Sequence, residues 1–566
     1  MKTISTQLSY FLENKEVRRN LPLLMRVIAL VVAVVVVFSI LFHFIMYYAE
    51  GEWHSWVTGF YWTLTVMSTL GFGDITFTTD IGRAFSVVVL VTGIILLLVV
   101  LPFAFIRFFY APWLKAQLQN RAPREVPPGT EGHVIITNHD ALSPGFISAL
   151  DREGIPYFLL GPDAATASDW YIEGLSAVTG DIDDKETYAK LNADKARLIL
   201  ANRTDAQNTN MTLTAREVAP DVPIAAVAHD DNAVDVLELS GATHVLPLKR
   251  WLGEQLASRV QAQQVGVQPL GEYGDLKIAE MPVRGTSLSG KTIRETELRQ
   301  ETGVHIIGVW ERGPLEPPSP DHKLTDASVP VVMGTESQLR TLHDRFAPGE
   351  AEDNPVVVIG GGTVGQAAIR ALARQGIPVN LVELQPERCD LLRDVCENVY
   401  QGDASNYAIL QKAGISEASA VLLTTNEDAI NVYLASYCRN LNAGLRVVSR
   451  ITHSRNLEAI YRAGADFVLS YSTLGVDALM SILRGKDLVV LGEGVDIYER
   501  RVPESLAGHT LRESNIGAHT GLNVVALKKD GHTVTELGPD LTLEADMELL
   551  LIGSNEQLGS FIERYE

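Results

Sequence analysis

The chain has 566 residues, of which 46% are hydrophobic and 20% are charged, and its formal net charge is −22. This length is too great for one hydrophobic core and predicts roughly three or four compact units. The acidic balance argues against a nucleic-acid partner, because phosphate binding requires an excess of Lys and Arg.

Two apolar stretches lie near the start of the chain, over 27–48 and 84–105. Each is about 20 residues long, which is enough for a helix to cross a bilayer. Basic residues precede the first stretch and follow the second, so the positive-inside rule predicts that both termini are cytoplasmic. The expected segments are an N-terminal segment over 1–20 and a membrane module over 21–110, with an outer helix over 21–49 and an inner helix over 82–110.

The segment between the two stretches is unusual for a simple loop. Residues 56–68 are apolar but too few to span a bilayer, which is typical of a re-entrant helix. Potassium filters replace the water of the ion with backbone carbonyls from four subunits, and alternating glycines allow the backbone angles that this needs. We therefore predict a pore helix and filter over 54–74; a glycine turn in an extracellular loop is the alternative. The predicted filter residues are Thr69, Leu70, Gly71, Phe72 and Gly73.

This order of helices around the filter motif resembles the two-transmembrane potassium channel family. The resemblance implies a homotetramer in a lipid bilayer that conducts K+ along one shared axis. Leu70 and Phe72 stand where Val and Tyr are commoner. The resemblance also makes Gly93 a candidate gating hinge, with close helix packing as the alternative. Leu97 and Leu101 are candidates for an apolar constriction that gates the pore.

A Pro-rich linker is expected over 111–128, and the chain after it is duplicated. The tripeptide Gly154-Ile155-Pro156 recurs 222 residues later as Gly376-Ile377-Pro378. A constant offset of this kind indicates a repeated domain. In each copy apolar strands alternate with helical stretches, which predicts an α/β Rossmann-like parallel sheet followed by a small α+β lobe. The expected bounds are 129–265 and 266–350 in the first copy, and 351–487 and 488–566 in the second.

Two spans followed by such a pair resemble the prokaryotic potassium channels with tandem RCK (regulator of potassium conductance) domains. The resemblance covers almost the whole chain. It implies a prokaryotic plasma-membrane channel whose eight RCK domains form a cytoplasmic gating ring.

The second copy contains a glycine motif in the place where a dinucleotide fold needs one. A predicted strand over 356–359 leads into this loop, and a helix follows. Glu383 lies 18 residues past the last glycine and suits an acceptor for ribose hydroxyls, which favours NAD or ADP/ATP over NADP. A glycine turn kept for packing is the alternative. The loop residues are Gly360, Gly361, Gly362, Thr363, Val364 and Gly365.

Further residues complete the predicted nucleotide site. Thr424 and Thr425 end the fourth strand and are expected to line the cleft. Arg388 is a candidate phosphate ligand, with an ordinary surface role as the alternative. The RCK resemblance places Asp403 and Ala404 near the adenine.

The first copy departs from this motif. The offset of 222 puts Asn138, Asp140, Ser143 and Gly161 in the places of Gly360, Gly362, Gly365 and Glu383, so no dinucleotide is expected there. Acidic residues nearby are possible Ca2+ ligands, although solvated acidic loops are the alternative. These residues are Asp181, Asp183, Asp184, Asp230 and Asp231.

The predicted function is a ligand-gated potassium channel rather than an enzyme. Two alternatives are a regulatory subunit of a potassium transporter and a membrane-anchored NAD-dependent dehydrogenase. The dehydrogenase would leave the filter motif without a use, and the cleft sequence has no evident His/Asp or Lys/Tyr pair for hydride transfer. The sequence leaves open which nucleotide binds and whether it opens or closes the pore.

Overall fold

The computed structural model describes residues 15–111, 122–273, 276–313, 315–346, 354–396, 398–485, 496–529, 532–534 and 537–566. The predicted segment 1–20, the linker 111–128 and the boundaries near 350 and 487 lie wholly or partly outside these residues. The chain divides into two compact units, one of residues 1–124 with 161–180 and one of residues 125–160 with 181–566.

The first unit contains two long apolar helices and a short helix between them in sequence. The stretches Pro22–Glu50 and Asp80–Phe108 are long and apolar enough to cross a membrane. The two predicted spans and the short helix are therefore present. In chain order the helical segments are Lys15–Ile45, Met46–Glu50, Trp56–Met67, Asp80–Gly93, Ile94–Val100, Leu101–Phe105 and Ile106–Tyr110, followed later in the chain by Ala164–Ile172.

Aromatic packing holds the short helix Trp56–Met67 against the first long helix. Phe42 is fully buried, and its ring stacks on that of Trp62 with a centroid distance of 4.9 Å. The hydroxyl of Ser39 also reaches the Thr63 hydroxyl at 3.3 Å. A buried polar pair in an apolar setting is directional, so it fixes how the two helices are rotated against each other.

The first copy of the repeat begins with short, buried parallel strands. Within the second unit these strands lie in the order β2-β1-β4-β5-β6. The strands are β1 (Val134–Ile136), β2 (Tyr157–Gly161), β4 (Leu198–Ala201), β5 (Ile224–Val227) and β6 (His244–Leu246), while β3 (Ala177–Thr179) belongs to the first unit. An antiparallel sheet follows, in the order β10-β9-β11-β8-β7. Its strands are β7 (Gln268–Tyr273), β8 (Leu276–Glu280), β9 (His305–Trp310), β10 (Leu315–Glu316) and β11 (Val329–Gly334).

The second copy repeats this plan. Its parallel sheet has the order β14-β13-β12-β15-β16-β17, and its antiparallel sheet has the order β18-β21-β19-β20. The registers agree: Val134 lies opposite Leu198 in the first copy, and Val356 lies opposite Ala420 in the second. The predicted duplication of a Rossmann-like lobe and a small lobe is confirmed. The strands are β12 (Val356–Ile359), β13 (Val379–Glu383), β14 (Asn398–Gln401), β15 (Ala420–Leu423), β16 (Arg446–Ile451), β17 (Phe467–Ser470), β18 (Asp496–Arg501), β19 (Asn523–Lys529), β20 (His532–Val534) and β21 (Glu548–Gly553).

Helices connect the strands in both copies. In the first copy they are Ser143–Arg152, Lys185–Lys190, Ala193–Lys195, Asp205–Val218, Asp231–Ala233, Val234–Leu239, Leu248–Val265, Ile293–Thr296, Leu298–Thr302 and Glu336–Phe346. In the second copy they are Thr363–Arg374, Pro386–Leu392, Tyr407–Lys412, Asp428–Leu441, Ser454–Asn456, Leu457–Arg462, Tyr471–Arg484, Leu511–Ser514, Ile516–Thr520 and Asn555–Tyr565.

Each copy packs one of its helices against a helix of the other copy. Leu248–Val265 of the first copy packs on Thr363–Arg374 of the second, and Tyr471–Arg484 of the second packs on Ser143–Arg152 of the first. Each contact carries an ion pair, Arg374 with Glu254 at 3.2 Å and Arg484 with Glu153 at 2.7 Å. The face of each Rossmann-like lobe is therefore covered by a helix from the other copy.

A buried ion pair of the first copy lies where the two copies meet. Arg259 on helix Leu248–Val265 binds Glu280 on β8 at 2.5 Å, and both side chains are completely buried. The Arg259 guanidinium lies 4.5 Å from the ring centroid of Phe467 on β17 and 5.0 Å from that of Trp310 on β9. The charge is thus enclosed by both copies, where its removal would leave an uncompensated ion.

Candidate functional site

In the predicted filter segment, residues 69–73, the sign of the backbone φ angle alternates from one residue to the next. The φ angle is +62° at Thr69, +45° at Gly71 and +76° at Gly73, whereas Leu70 and Phe72 do not have positive φ. Regular alternation of left- and right-handed residues turns successive carbonyls toward one side of a strand. Gly71 and Gly73 can adopt a positive φ without steric cost because glycine has no Cβ atom. Thr69 adopts a positive φ despite its Cβ atom.

The segment is anchored at its start to the end of the short helix. The amides of Leu70 and Gly71 donate to the Thr65 carbonyl at 2.9 and 3.1 Å, and the Thr69 amide donates to the Val66 carbonyl at 3.0 Å. Two apolar side chains of this segment are largely exposed: Leu70 is 62% exposed and Phe72 is 63% exposed. The segment therefore presents an apolar surface to its surroundings.

Side chains that sequence reasoning did not select brace the far end of the segment. The Tyr61 hydroxyl donates to Asp74 Oδ2 at 2.9 Å, and the Tyr61 ring stacks on Phe72 with a centroid distance of 6.3 Å. The only signal for this contact was the position of Asp74 directly after the motif.

Glu50 fixes the chain between the filter segment and the second long helix. Its carboxylate accepts from the amides of Thr78 and Thr79, both at 2.9 Å, and from the Thr79 hydroxyl at 2.8 Å. The Thr78 hydroxyl also bonds to it. The Glu50 carboxylate thus connects the end of the first apolar stretch, Pro22–Glu50, to the N-terminus of helix Asp80–Gly93.

Gly93 is the point where the second long helix touches the short helix. A Cβ atom built on Gly93 would lie 2.4 Å from the Cα atom of Met67. This contact supports the packing alternative, and the hinge role of Gly93 stays a prediction. Leu97 is partly buried against the apolar cluster around Met67, and Leu101 is also partly buried. The gating roles of both leucines stay predictions.

The glycine loop of the second copy is built by contacts that exclude other side chains. Gly360 has a φ of +105°, and a Cβ on Gly365 would lie 1.9 Å from the Gly360 carbonyl oxygen. The Thr424 hydroxyl donates to the carbonyls of Gly360 and Ile359 at 2.8 and 3.0 Å. Gly362 is the N-cap of the helix that begins with Thr363 and Val364, and as a glycine it has no side chain to cap that helix. The helix N-terminus is left available to an anion.

Glu383 lies directly beside this loop, as the sequence predicted. It is 4% exposed, and its carboxylate accepts from the amides of Gly361 at 2.5 Å and Gln385 at 2.8 Å. Arg388 approaches from the next helix, with Nη1 3.9 Å from a Cβ built on Gly362. The structure therefore places the Glu383 carboxylate next to Gly361 and the Arg388 guanidinium next to Gly362.

The remaining predicted residues follow strands β14 and β15, at the same edge of the sheet. Ala404 is buried, whereas Asp403 is exposed and accepts from the Ser405 amide at 2.8 Å. Thr425 is half-buried and donates to Asn431 Oδ1 at 2.7 Å. Carboxyl ends of parallel strands form the ligand crevice in Rossmann-like folds, so these residues share the edge with Glu383.

Among the described residues no group of three or more His, Cys, Asp or Glu side chains could hold a metal ion. Three of the five acids considered for Ca2+ have other partners. Asp184 accepts from the Glu186 amide at 3.0 Å and Asp230 from the Asn232 amide at 2.9 Å. Asp231 lies 3.5 Å from Arg250. These contacts match the alternative in which the acids serve their own loops.

Three family models match the chain. An ion channel model matches residues 30–110, the TrkA-N domain model matches 134–247 and 356–471, and the TrkA-C domain model matches 278–347 and 497–565. Both copies of the repeat are thus matched by the same pair of models.

Known channels resemble the chain over most of its length. The structure described as the GsuK channel bound to NAD is 36% identical, covers 96% of this chain and 99% of its own, and has a TM-score of 0.56. A second GsuK channel structure gives the same identity and coverage with a TM-score of 0.57. The probable potassium channel protein 2 of Methanocaldococcus jannaschii is 24% identical over 311 residues, which are 51% of this chain and 88% of that protein.

Proposed function

Since this chain belongs to the family of two-transmembrane potassium channels with tandem RCK domains, we propose that it is a potassium channel gated by an adenine nucleotide in its second copy. The observation that carries the proposal is the position of Glu383, which binds the amide of Gly361 within the glycine loop. The comparisons favour a channel over a transporter subunit or a dehydrogenase.

The pore is assigned to four copies of the segment Thr69–Gly73. Its alternating backbone hand supports this role, because carbonyls that face one axis can replace the hydration shell of K+. The exposed side chains of Leu70 and Phe72 would be covered by neighbouring subunits in a homotetramer. The inner helix is proposed to bend at Gly93 when the pore opens. Leu97 and Leu101 are proposed to form the apolar constriction that opens and closes.

The nucleotide is assigned to the crevice at the carboxyl ends of β12–β15. The pyrophosphate would lie at the N-terminus of helix Thr363–Arg374, with Arg388 as a phosphate ligand. Glu383 would accept from the ribose hydroxyls and would repel a 2′-phosphate, so NAD, ADP or ATP is favoured over NADP. Asp403, Ala404, Thr424 and Thr425 would line the adenosine side. The NAD in the similar GsuK channel supports this class of ligand.

Gating is assigned to a cytoplasmic ring of eight RCK domains beneath the pore, with both termini on the cytoplasmic side of a prokaryotic plasma membrane. The expected bounds remain 129–265 with 266–350, and 351–487 with 488–566. A ligand shifts such a ring only by its differential affinity for the open and closed shapes. A few kcal/mol summed over four sites is enough to change the open fraction strongly. Ca2+ gains no support from the described acidic residues.

The test is potassium flux into liposomes that contain only the purified chain. We expect K+ flux that exceeds Na+ flux and that changes when NAD or ADP is added to the cytoplasmic face. Glu383→Ala should abolish the nucleotide response and keep the basal flux. Glu387→Ala, at an exposed position on the next helix, is the matched control. An unchanged response in Glu383→Ala would remove this crevice from gating, and absent K+ flux under every condition would favour the transporter-subunit alternative.

A further inference from the structure

The crevice of the first copy is closed by its own side chains. Asp140 Oδ1 accepts from the amides of Leu142 and Ser143 at 3.0 and 3.2 Å and from the Ser143 hydroxyl at 3.0 Å. These amides begin helix Ser143–Arg152, the first helix of this Rossmann-like lobe. An anionic oxygen therefore already occupies the place at which a helix N-terminus attracts a phosphate.

The second copy shows what this arrangement replaces. Asp140 is the counterpart of Gly362 at the offset of 222, and Gly362, the N-cap of helix Thr363–Arg374, has no side chain that could accept from the counterpart amides of Val364 and Gly365. We propose that the Asp140 carboxylate is a built-in substitute for a nucleotide phosphate, which holds the first copy permanently in the shape of a loaded RCK domain. This inference rests on the proposed nucleotide crevice of the second copy.

The loop around Asp140 is tied together by side chains at positions where the second copy has glycines. The Ser143 hydroxyl donates to the Asn138 carbonyl at 2.7 Å, and Asn202 Nδ2 donates to the same carbonyl at 3.1 Å. Asn138 Nδ2 in turn donates to the Asn202 carbonyl at 3.3 Å. The polar side chains that replace the glycines thus supply one another with partners and need no ligand to satisfy them.

Arg203 closes the neighbouring part of the crevice. It is the counterpart of Thr425, and its Nε donates to the Thr137 carbonyl at 2.7 Å while Nη2 reaches the Leu160 carbonyl at 3.4 Å. These carbonyls belong to the ends of β1 and β2. The guanidinium therefore spans the two strand ends between which the second copy has its glycine loop and Glu383.

The consequence is that each chain carries one responsive and one fixed module. A tetramer with eight Rossmann-like lobes would bind four nucleotides. The first copy would act as a rigid partner against which the second copy changes shape. Its rigidity would not vary with the nucleotide concentration.

The test is hydrogen exchange, read by mass spectrometry on peptides of the purified full chain, with inorganic phosphate as the probe. Asp140→Gly should raise exchange at the start of helix Ser143–Arg152 by about 2-fold, the change expected when glycine replaces a capping side chain. Inorganic phosphate, compared with chloride at equal ionic strength, should restore slow exchange there. It should leave this peptide of the unaltered chain unchanged.

Asp163 provides the matched control. Its Oδ1 caps helix Ala164–Ile172 by accepting from the amides of Ala165 and Thr166, both at 2.9 Å, and it lies outside the glycine-loop position. Asp163→Gly should raise exchange in its own helix, and phosphate should not reverse that rise. If Asp140→Gly does not fold, Asp140→Ala also removes the acceptor and should show the same phosphate dependence.

The inference is overturned if Asp140→Gly exchanges as slowly as the unaltered chain, or if phosphate slows exchange equally in the Asp163→Gly helix. Nucleotide binding by the second copy is measured separately, with NAD on the unaltered chain and on Glu383→Ala. Absence of NAD binding in the unaltered chain, or equal NAD binding in Glu383→Ala, together with intact phosphate rescue would contradict the proposed function and leave the capping role of Asp140 standing. Binding of NAD by the unaltered chain, together with no phosphate rescue in Asp140→Gly, would contradict the capping inference and leave the proposed function standing.

Discussion

A Cβ atom on Gly253 would lie 2.3 Å from the carbonyl oxygen of Val364. Gly253 is on helix Leu248–Val265 of the first copy, and Val364 is the second residue of the helix that begins at the glycine loop of the second. No side chain separates the two backbones at this point. Any displacement of helix Thr363–Arg374 is therefore transmitted directly to helix Leu248–Val265 of the first copy.

Gly253→Ala should weaken this contact. The added methyl group meets backbone that cannot move away freely, so we expect a loss of about 1–3 kcal/mol in the free energy of unfolding. We also expect a smaller effect of NAD on the open fraction, measured by single-channel recording. Gly559→Ala is the control, because a Cβ there has no atom within 4 Å. Equal nucleotide responses in the two variants would contradict coupling through this contact.

Glu280→Gln should be among the most destabilising single changes in the soluble part. It leaves the Arg259 charge buried without its carboxylate, which costs about 3–5 kcal/mol. Urea unfolding of the purified chain measures the loss. The double variant Arg259→Met with Glu280→Leu removes both charges and should recover much of the stability. If the double variant is no more stable than Glu280→Gln, packing rather than charge explains the effect.

Tyr61→Phe should disturb the filter segment while keeping its aromatic support. The variant loses the hydrogen bond to Asp74 but retains the ring that stacks on Phe72. A hydrogen bond to a charged acceptor contributes about 1.5–3 kcal/mol, so we expect faster loss of K+ current at low external K+. Tyr47→Phe, at an exposed position on the first helical stretch, is the comparison. Identical current decay in both variants would show that Asp74 does not need this partner.

Glu50→Gln should loosen the link between the first helix and the start of Asp80–Gly93. The neutral amide accepts fewer and weaker hydrogen bonds than the carboxylate that Thr78 and Thr79 share. We expect the purified chain to unfold at a temperature several degrees lower, in line with a loss of about 1–3 kcal/mol. Glu52→Gln changes a neighbouring carboxylate whose described polar contact is His54 at 3.2 Å. A similar loss in Glu52→Gln would assign the effect to surface charge instead.

The sequence was sufficient for features that depend on local pattern. The lengths of the two apolar stretches predicted the two long helices. The constant offset of 222 residues predicted two parallel sheets with the same strand order. Glu383 could be placed beside the glycine loop because parallel strands end at a common edge. In each case the spacing along the chain fixes the geometry.

Contacts between distant parts of the chain could not be predicted in this way. Gly253 appears in sequence as an ordinary glycine in a helix, and only the packing of the two copies shows why a side chain is excluded there. In sequence Asp140 appears only as a replacement for a glycine of the motif, whereas its hydrogen bonds show that it caps the helix. Glu50 carried no motif at all, since its partners are 28 and 29 residues away.

The helices that pack between the two copies also constrain how this protein can have evolved. If Leu248–Val265 covers the second lobe and Tyr471–Arg484 covers the first, a gene segment that encodes one copy alone yields a lobe with an uncovered apolar face. Two identical ancestral lobes could have covered each other in the same way before their genes were fused. After fusion one partner was free to lose its glycines, provided that the surface it offers to the other was kept.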